Sequence, residues 1–257
     1  MVPRCITIAG SDSGGGAGIQ ADLKAFAAAG VHGTSAIVAL TAQNTREVTT
    51  VYELPPWFVR AQLDAVAGDI GIDAAKTGML FSRAIIDAVA DWLEAHRLPL
   101  VVDPVMVASS GAQLLEDDAV GSLLHRLLPL ATVVTPNVME ARALTDSAAQ
   151  PEVLAEALVA LGAPAALVTG GHGERPADHL FDGKEHHEIP FKRSDVAATH
   201  GAGCTHSATL AALLARGLPL LEAARGAAGA ASRAVAQGLV EIGAGEGPVD
   251  VLGVVAR

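Results

Sequence analysis

Short apolar segments that are typical of buried strands alternate with helical patterns along the whole chain. This alternation predicts an α/β fold with a mostly parallel central sheet and helices on both faces, because parallel strands need long crossover connections. A hairpin is also predicted at 179–189. Besides this hairpin, the predicted strands are Cys5–Ala9, Thr34–Ala42, Thr49–Leu54, Ala74–Leu80, Leu100–Val102, Ala131–Val134 and Ala165–Thr169. The predicted helices are Ile19–Ala29, Pro55–Ile70, Ser82–His96, Leu114–Leu128, Cys204–Arg216 and Leu220–Val240, followed by a frayed, glycine-rich tail.

The length and composition suit one domain. A chain of 257 residues can bury a large core as a single α/β unit, and neither a repeat nor a linker interrupts residues 1–257. Apolar residues make up 51% of the chain and aromatic residues only 3%. The core is therefore expected to consist mainly of alanine, valine, leucine and isoleucine.

The charge balance excludes several classes of partner. The net charge is −11, from 17 basic and 28 acidic residues, and no basic cluster interrupts it. Binding to nucleic acid or to an anionic membrane is therefore not expected. The two cysteines form no disulfide framework, the start of the chain has no signal-peptide pattern, and no apolar run approaches the roughly 18 residues of a membrane span. These features predict a cytoplasmic protein.

Polar or glycine residues follow most of the predicted strands. Because the carboxyl ends of parallel strands share one edge of a sheet, these residues are expected to meet there and to form a small-molecule site. Taken singly, each has a structural alternative: Asp103-Pro104 is a common turn, and Asn137 with Glu140 matches a helix capping box. The residues at this edge are Asp12, Gln43, Asp103, Asn137, Thr169 and Gly170–Gly171.

A glycine-rich loop follows the first strand, from Gly10 to Gly18. The dinucleotide-binding fingerprint fails here because Ile19 stands where its third glycine is needed, and no Gly-Lys-Ser/Thr follows to make a P-loop. What remains is a loop with one carboxylate, Asp12, that closes over a small ligand. The alternative is a glycine-rich surface turn.

A second glycine-containing loop, 199–203, leads into the apolar helix of residues 204–216. The N–H groups at such a helix start lack intrahelical partners, and the helix dipole favours negative charge there. This loop is thus expected to bind a phosphate-like group and to lower the pKa of the Cys204 thiol. A tight loop–helix junction with one buried thiol is the alternative.

Several of these motifs together resemble the ribokinase-type family, and within it the hydroxymethylpyrimidine and hydroxymethylpyrimidine-phosphate kinases of thiamine synthesis. The resemblance covers nearly the whole chain. The motifs that carry it are AGSDSGGGAGIQADLK from Ala9, ALTAQNT from Ala39, KTGML from Lys76, VDPVM from Val102, TPNVME from Thr135, GGH from Gly170 and HGAGCT from His200.

The resemblance implies a three-layer αβα kinase, usually dimeric, that uses ATP and Mg²⁺ to phosphorylate a pyrimidine or its monophosphate. In the pyrimidine pocket it implies that Gln43 reads the aminopyrimidine edge and that Gly10, Asp12, Ala17, Met79 and Val105 form the lining. On the phosphate side it implies an anion hole at Gly201, Ala202 and Gly203, and Cys204 in the place of a catalytic aspartate. It also implies Asp103 and Glu140 as metal ligands, with nucleotide contacts from Asn137, Glu140, Thr169 and Gly171.

The chain departs from this family at three positions. Thr169 stands where the family commonly has lysine, and Ala202 stands where threonine is more usual. His206 stands where an apolar residue is frequent, which we interpret as a change in packing rather than as a ligand.

Three alternative functions stay open from the sequence. A pyridoxal kinase has a similar ring and hydroxymethyl group to bind, although Gln43 beside Cys204 favours the aminopyrimidine. A Rossmann-type oxidoreductase would need the glycine fingerprint that is missing. A non-catalytic pyrimidine-binding regulator would bind the ring but would not turn over ATP.

Overall fold

A nine-stranded mixed sheet lies at the centre of the computed structural model, which describes residues 1–107, 111–112, 114–116, 118–170 and 176–254. Its strands are β1 (Arg4–Asp12), β2 (His32–Gln43), β3 (Val48–Glu53), β4 (Ala74–Thr77), β5 (Leu100–Val102), β6 (Val133–Val134), β7 (Ala166–Val168), β8 (Ala177–Phe181) and β9 (His186–Pro190).

The strand order is β3-β2-β1-β4-β5-β6-β7-β8-β9. The run from β2 to β7 is parallel, whereas β3 pairs antiparallel with β2 and the β8–β9 hairpin continues antiparallel from β7. The predicted mostly parallel sheet and the predicted hairpin are both confirmed.

Helices cover both faces of the sheet, which gives the predicted three-layer arrangement. On one face, α1 (Gly18–Ala28), α7 (Ala202–Ala215) and α8 (Leu220–Ala236) enclose an alanine-rich core with the sheet. The other core contains residues from α2 (Pro56–Asp69), α3 (Arg83–Ala95), α4 (Ala119–Ser122), α5 (Val138–Thr145) and α6 (Pro151–Ala160). None of the helices in the described part of the chain has the length and hydropathy that a membrane crossing requires.

Two predicted features are wrong. The helix predicted from Leu114 begins only at Ala119, because Leu115 is held in a bridge with Phe81, and it then continues as a π-helical turn (Leu123–Leu127) and a 3₁₀ turn (Leu128–Leu130).

The glycine-rich tail is not frayed either. Its backbone pairs with the loop before α7: the N–H of His200 donates to the carbonyl of Gly247 at 3.2 Å, and the N–H of Val249 donates to the carbonyl of His200 at 3.1 Å. The tail also reaches the loop after β2, where the N–H of Glu246 donates to the carbonyl of Thr45. These pairings satisfy backbone groups that a frayed tail would leave to water.

Candidate active site

A cavity of about 190 Å³ lies at the carboxyl edge of the parallel strands and against the start of α7. The sequence-predicted site residues that the structure describes all line it except Gly170, although they come from distant parts of the chain. Gly171 lies outside the described residues. Those that line the cavity are Gly10, Asp12, Ala17, Gln43, Met79, Asp103, Val105, Asn137, Glu140, Thr169, Gly201, Ala202, Gly203 and Cys204.

The loop before α7 takes a conformation that requires glycine at one position. Gly201 caps α7 with a φ of 82°, and a Cβ placed on it would lie 1.8 Å from the carbonyl oxygen of Gly16. A Cβ on Gly203 would instead meet no atom within 4 Å, because that residue faces open space. The start of α7 lines the cavity, where the helix dipole favours an anion. The N–H of Ala202 already donates to the carbonyl of Thr199 at 3.0 Å.

Cys204 lies on the first turn of α7 and is partly exposed towards the cavity. Burial raises the pKa of its thiol to about 12, which outweighs the opposite effect of the nearby Lys76 ammonium. The predicted lowering of this pKa is therefore wrong for the ligand-free protein. The local effect of a helix start is smaller here than the cost of placing a thiolate in an enclosed site.

Asp12 organises the glycine-rich loop. Its carboxylate accepts the N–H groups of Gly14, Gly16 and Ala17 at 2.7, 3.0 and 2.8 Å, and the Nε2 of His200 lies 3.1 Å from it. Burial alone would raise the pKa of Asp12, but the hydrogen bonds from His200 and the loop hold it below its ordinary value. Because Asp12 is buried and joins two loops, the surface-turn alternative is wrong.

Gln43 lies at the end of β2, and the oxygen of its side-chain amide already has a hydrogen-bond donor. Its Oε1 accepts a hydrogen bond from the Thr41 hydroxyl at 3.0 Å. Its Nε2 donates to no other residue in the described part of the chain, so that group stays available to a ligand at the cavity wall. The amide is thus oriented as a donor.

Glu140 takes part in two arrangements at once. It completes the capping box of α5, with its N–H donating to Asn137 Oδ1 at 2.9 Å and its Oε2 accepting the Asn137 N–H at 2.9 Å. It also lines the cavity, where burial and the nearby negative charge of Asp103 raise its pKa to about 8. The capping-box alternative is therefore confirmed, and it coexists with a place in the cavity.

The Asp103–Glu140 pair suits a hard cation. The charge of Asp103 disfavours ionisation of Glu140, and a divalent ion between the two carboxylates would remove that cost. Mg²⁺ is commonly bound by one or two carboxylates together with substrate phosphates. Within the described residues no group of three or more His, Cys, Asp or Glu side chains could hold a metal on its own. The donor set therefore fits Mg²⁺ shared with a nucleotide.

Sequence reasoning missed a charged network beneath the cavity. Lys76 on β4 is fully buried, with its Nζ 2.9 Å from Asp22 Oδ1 and 3.6 Å from Asp103 Oδ2. Thr7 donates to Asp22 at 2.6 Å, and Ser207 on α7 donates to Asp103 at 2.7 Å. Burial alone would lower the pKa of Lys76, but Asp22 and the other nearby anionic groups hold it above its ordinary value. A lysine inside an otherwise apolar strand was the available signal.

Thr169 and Gly170 lie beside β8, at one end of the site. The N–H of Thr169 donates to the carbonyl of Pro136 at 2.9 Å, and the N–H of Gly170 donates to Asp178 Oδ1 at 3.1 Å. No lysine ammonium is contributed from position 169, because threonine occupies it. The rest of the Gly-Gly-His motif lies outside the described residues.

Comparisons with known proteins agree on one family. The sequence model of the family described as phosphomethylpyrimidine kinase matches residues 12–250. The chain is 49% identical over 257 residues to a hydroxymethylpyrimidine/phosphomethylpyrimidine kinase of Rhizobium meliloti, covering 97% of both chains. It is 50% identical over 225 residues to a thiamine biosynthesis bifunctional protein of Geobacter sulfurreducens, covering 85% of this chain and 46% of that protein. A solved ADP complex of Bacillus subtilis pyridoxal kinase is 35% identical, with a TM-score of 0.90 and full coverage of both chains.

Proposed function

The chain belongs to the phosphomethylpyrimidine kinase family, and from that premise we propose that it transfers the γ-phosphoryl group of ATP to 4-amino-5-hydroxymethyl-2-methylpyrimidine, to its monophosphate, or to both, in thiamine biosynthesis. The observation that carries this proposal is one cavity that joins the free amide donor of Gln43 to the start of α7 and to Cys204. The cavity thus contains both a hydrogen-bond donor for the edge of the pyrimidine ring and a site for the phosphoryl group that is transferred.

The residues of the chain serve the reaction mainly by position and charge. Phosphoryl transfer passes through a loose transition state whose negative charge is spread over the equatorial oxygens. The dipole and the first residues of α7, from Gly201 to Gly203, favour that charge, and the N–H of Ala202 donates to Thr199 in the ligand-free protein. The Nε2 of Gln43 donates to the pyrimidine, and Met79 and Val105 enclose the ring.

Cys204 is the candidate acceptor for the proton of the primary alcohol. Only its thiolate can take that proton, and burial keeps the thiol neutral in the ligand-free protein, with a pKa of about 12. Base catalysis therefore requires this pKa to fall in the substrate complex. Lys76 acts in that direction, and a loose transition state asks little of the base.

We propose that ATP and Mg²⁺ bind on the side of the cavity that Asp103, Asn137, Glu140 and Thr169 form. Asp103 and Glu140 would hold the metal ion, which would neutralise phosphate charge, while Asn137 and Thr169 would contact the nucleotide. Gly171 is proposed for the same role from the family motif alone.

The proposal is tested by a coupled ADP-release assay with the hydroxymethylpyrimidine, its monophosphate and pyridoxal as separate substrates. We expect the highest kcat/KM with one of the two pyrimidines. Tight pyrimidine binding without release of ADP would instead identify a non-catalytic binding protein.

A pyridoxal kinase is the second candidate, because the solved pyridoxal kinase has a TM-score of 0.90 to this chain. Pyridoxal also carries a hydroxymethyl group on a six-membered nitrogen ring. The two functions are separated by the same assay, since a pyridoxal kinase would give its highest kcat/KM with pyridoxal.

We further propose that the protein is a cytoplasmic homodimer of single-domain subunits. Large apolar side chains are exposed near the β3 edge: Leu40 pairs across strands with Tyr52, which is 65% exposed, and Trp57 and Phe58 follow at the start of α2. Light scattering after gel filtration would give a dimer mass, and Tyr52→Lys with Trp57→Lys would give a monomer. One cooperative unfolding transition tests the single domain, and cell fractionation tests the location.

A further inference from the structure

His206 makes a buried hydrogen-bonded contact with Asp178. It is on α7, two residues beyond Cys204, and is only 6% exposed. Its Nε2 lies 2.9 Å from Asp178 Oδ2, and its Nδ1 has no partner among the described residues. Asp178 is therefore the hydrogen-bond partner that fixes this ring in the described structure. The interpretation of His206 as a packing change is incomplete, because the side chain is paired.

Asp178 also contacts the backbone at the edge of the cavity. Its second carboxylate oxygen, Oδ1, accepts the N–H of Gly170 at 3.1 Å. Gly170 also packs closely on the first residue of β8, since a Cβ added to it would lie 2.1 Å from the carbonyl oxygen of Ala177. Gly170 is thus held at two points, immediately after the cavity-lining Thr169.

Each oxygen of the Asp178 carboxylate has its own hydrogen-bond donor. A buried carboxylate needs donors for both oxygens, because an unpaired buried charge is costly. Without the donor from His206, Oδ2 of Asp178 would be buried and unpaired, so the carboxylate would gain stability by turning towards water and would release the N–H of Gly170. The position of Gly170 therefore depends on a side chain of α7.

We propose that His206 is a positioning residue for the nucleotide: through Asp178 it fixes Gly170 and Thr169 relative to the start of α7. This inference rests on the proposed function, which places the nucleotide at Thr169 and the transferring phosphoryl group at Gly201–Gly203. The backbone at Thr169 and Gly170 is thus held in place from α7. The ligand affected is the nucleoside triphosphate, not the pyrimidine.

The test compares three variants by calorimetric titration with a non-hydrolysable ATP analogue and by steady-state kinetics. His206→Leu removes the donor, and His206→Gln keeps an N–H donor. His179→Leu is the matched control, because His179 is the next residue on β8 and makes a similar contact, Nδ1 to Glu152 Oε1 at 3.3 Å, with a different helix, α6.

We expect His206→Leu to weaken binding of the analogue and to raise KM for ATP by about 5- to 20-fold, as for a lost hydrogen bond to a charged group. KM for the pyrimidine should stay within about twofold. His206→Gln should recover most of the loss, and His179→Leu should resemble the wild type. If His206→Leu does not fold, His206→Phe repeats the measurement with the ring volume kept.

The proposal is overturned if the leucine or phenylalanine variant binds the analogue as the wild type does. Equal losses for nucleotide and pyrimidine, or no recovery with glutamine, would overturn it as well. Failure of the proposed function is a separate result, because it would appear as absent pyrimidine-dependent ADP release in the wild type, whereas the binding titration compares variants without needing turnover.

Discussion

The floor and the rim of the cavity differ in whether the protein itself supplies partners for their charged and polar groups. In the floor, which we define as Thr7, Asp22 and Lys76, each charged group has a partner within the protein and is fully buried. In the rim, which we define as Gln43, Glu140 and the start of α7, an amide donor and the first residues of the helix line the cavity.

The rim also contains a carboxyl group whose ionisation the protein disfavours. Burial and the charge of Asp103 raise the pKa of Glu140 to about 8. Folding thus completes the floor, whereas the rim is left for ligands to complete. Changes in the floor should therefore alter stability most, and changes in the rim should alter binding or rate.

The largest expected effect is in the floor. Lys76→Met leaves Asp22 buried without its cation, which should lower the free energy of unfolding by roughly 3–5 kcal/mol in urea denaturation. The double variant Lys76→Met with Asp22→Leu removes both charges and should recover much of that loss. A single variant as stable as the wild type would show that the floor is not a charge-compensated network.

Cys204 lies between the two regions, and its replacement should affect rate rather than stability. Cys204→Ser keeps a small polar group but raises the pKa further, so the single-turnover rate should fall about 10²-fold, at the lower end of the usual range for acid–base catalysis. Substrate affinities should change little. A serine variant with the wild-type rate would remove Cys204 from the mechanism and leave the anion site of α7 standing.

Substitution of Gln43 tests the part of the rim that is proposed to bind the pyrimidine. Gln43→Ala removes the Nε2 donor, and an unsatisfied partner on the ring should cost roughly 1–3 kcal/mol in pyrimidine binding. Binding of the ATP analogue should be unchanged in the same calorimetric series. Equal losses for both ligands would place Gln43 outside the pyrimidine pocket.

The pH dependence of stability tests the rim at Glu140. Its folded pKa of about 8 lies above the ordinary value of 4.5, so the folded protein holds the extra proton between these values. The contribution of Glu140 to stability therefore falls as pH rises from about 4.5 to 8. Glu140→Gln should flatten the decline in Tm across this window.

Magnesium gives the matching control. Since the ion competes with the proton for Glu140, MgATP should raise Tm more at pH 8.5 than at pH 6 in the wild type. The glutamine variant should lose most of that difference. If Mg²⁺ raises Tm equally in both proteins at both pH values, Glu140 serves only as the helix cap.

Local sequence patterns predicted the elements and the edge at which they meet. Leu100–Val102 was predicted with the bounds of β5, and the residues after the strands do line one cavity. This works because strand and helix periods are properties of neighbouring residues, and because parallel strands bring their carboxyl ends together whatever their sequence. The Leu114 helix failed because its first residues pair with Phe81, which is far away in the chain.

Local patterns in the sequence predict the fold class, the site at the carboxyl edge and the glycine loop before α7. They do not show which charged and polar side chains meet: Lys76 contacts Asp22 across 54 positions, His206 contacts Asp178 across 28, and burial raises the pKa of Cys204 although it lies at a helix start. Ionisation depends on burial and on charges within a few ångströms, and both are set by residues that are distant in the chain.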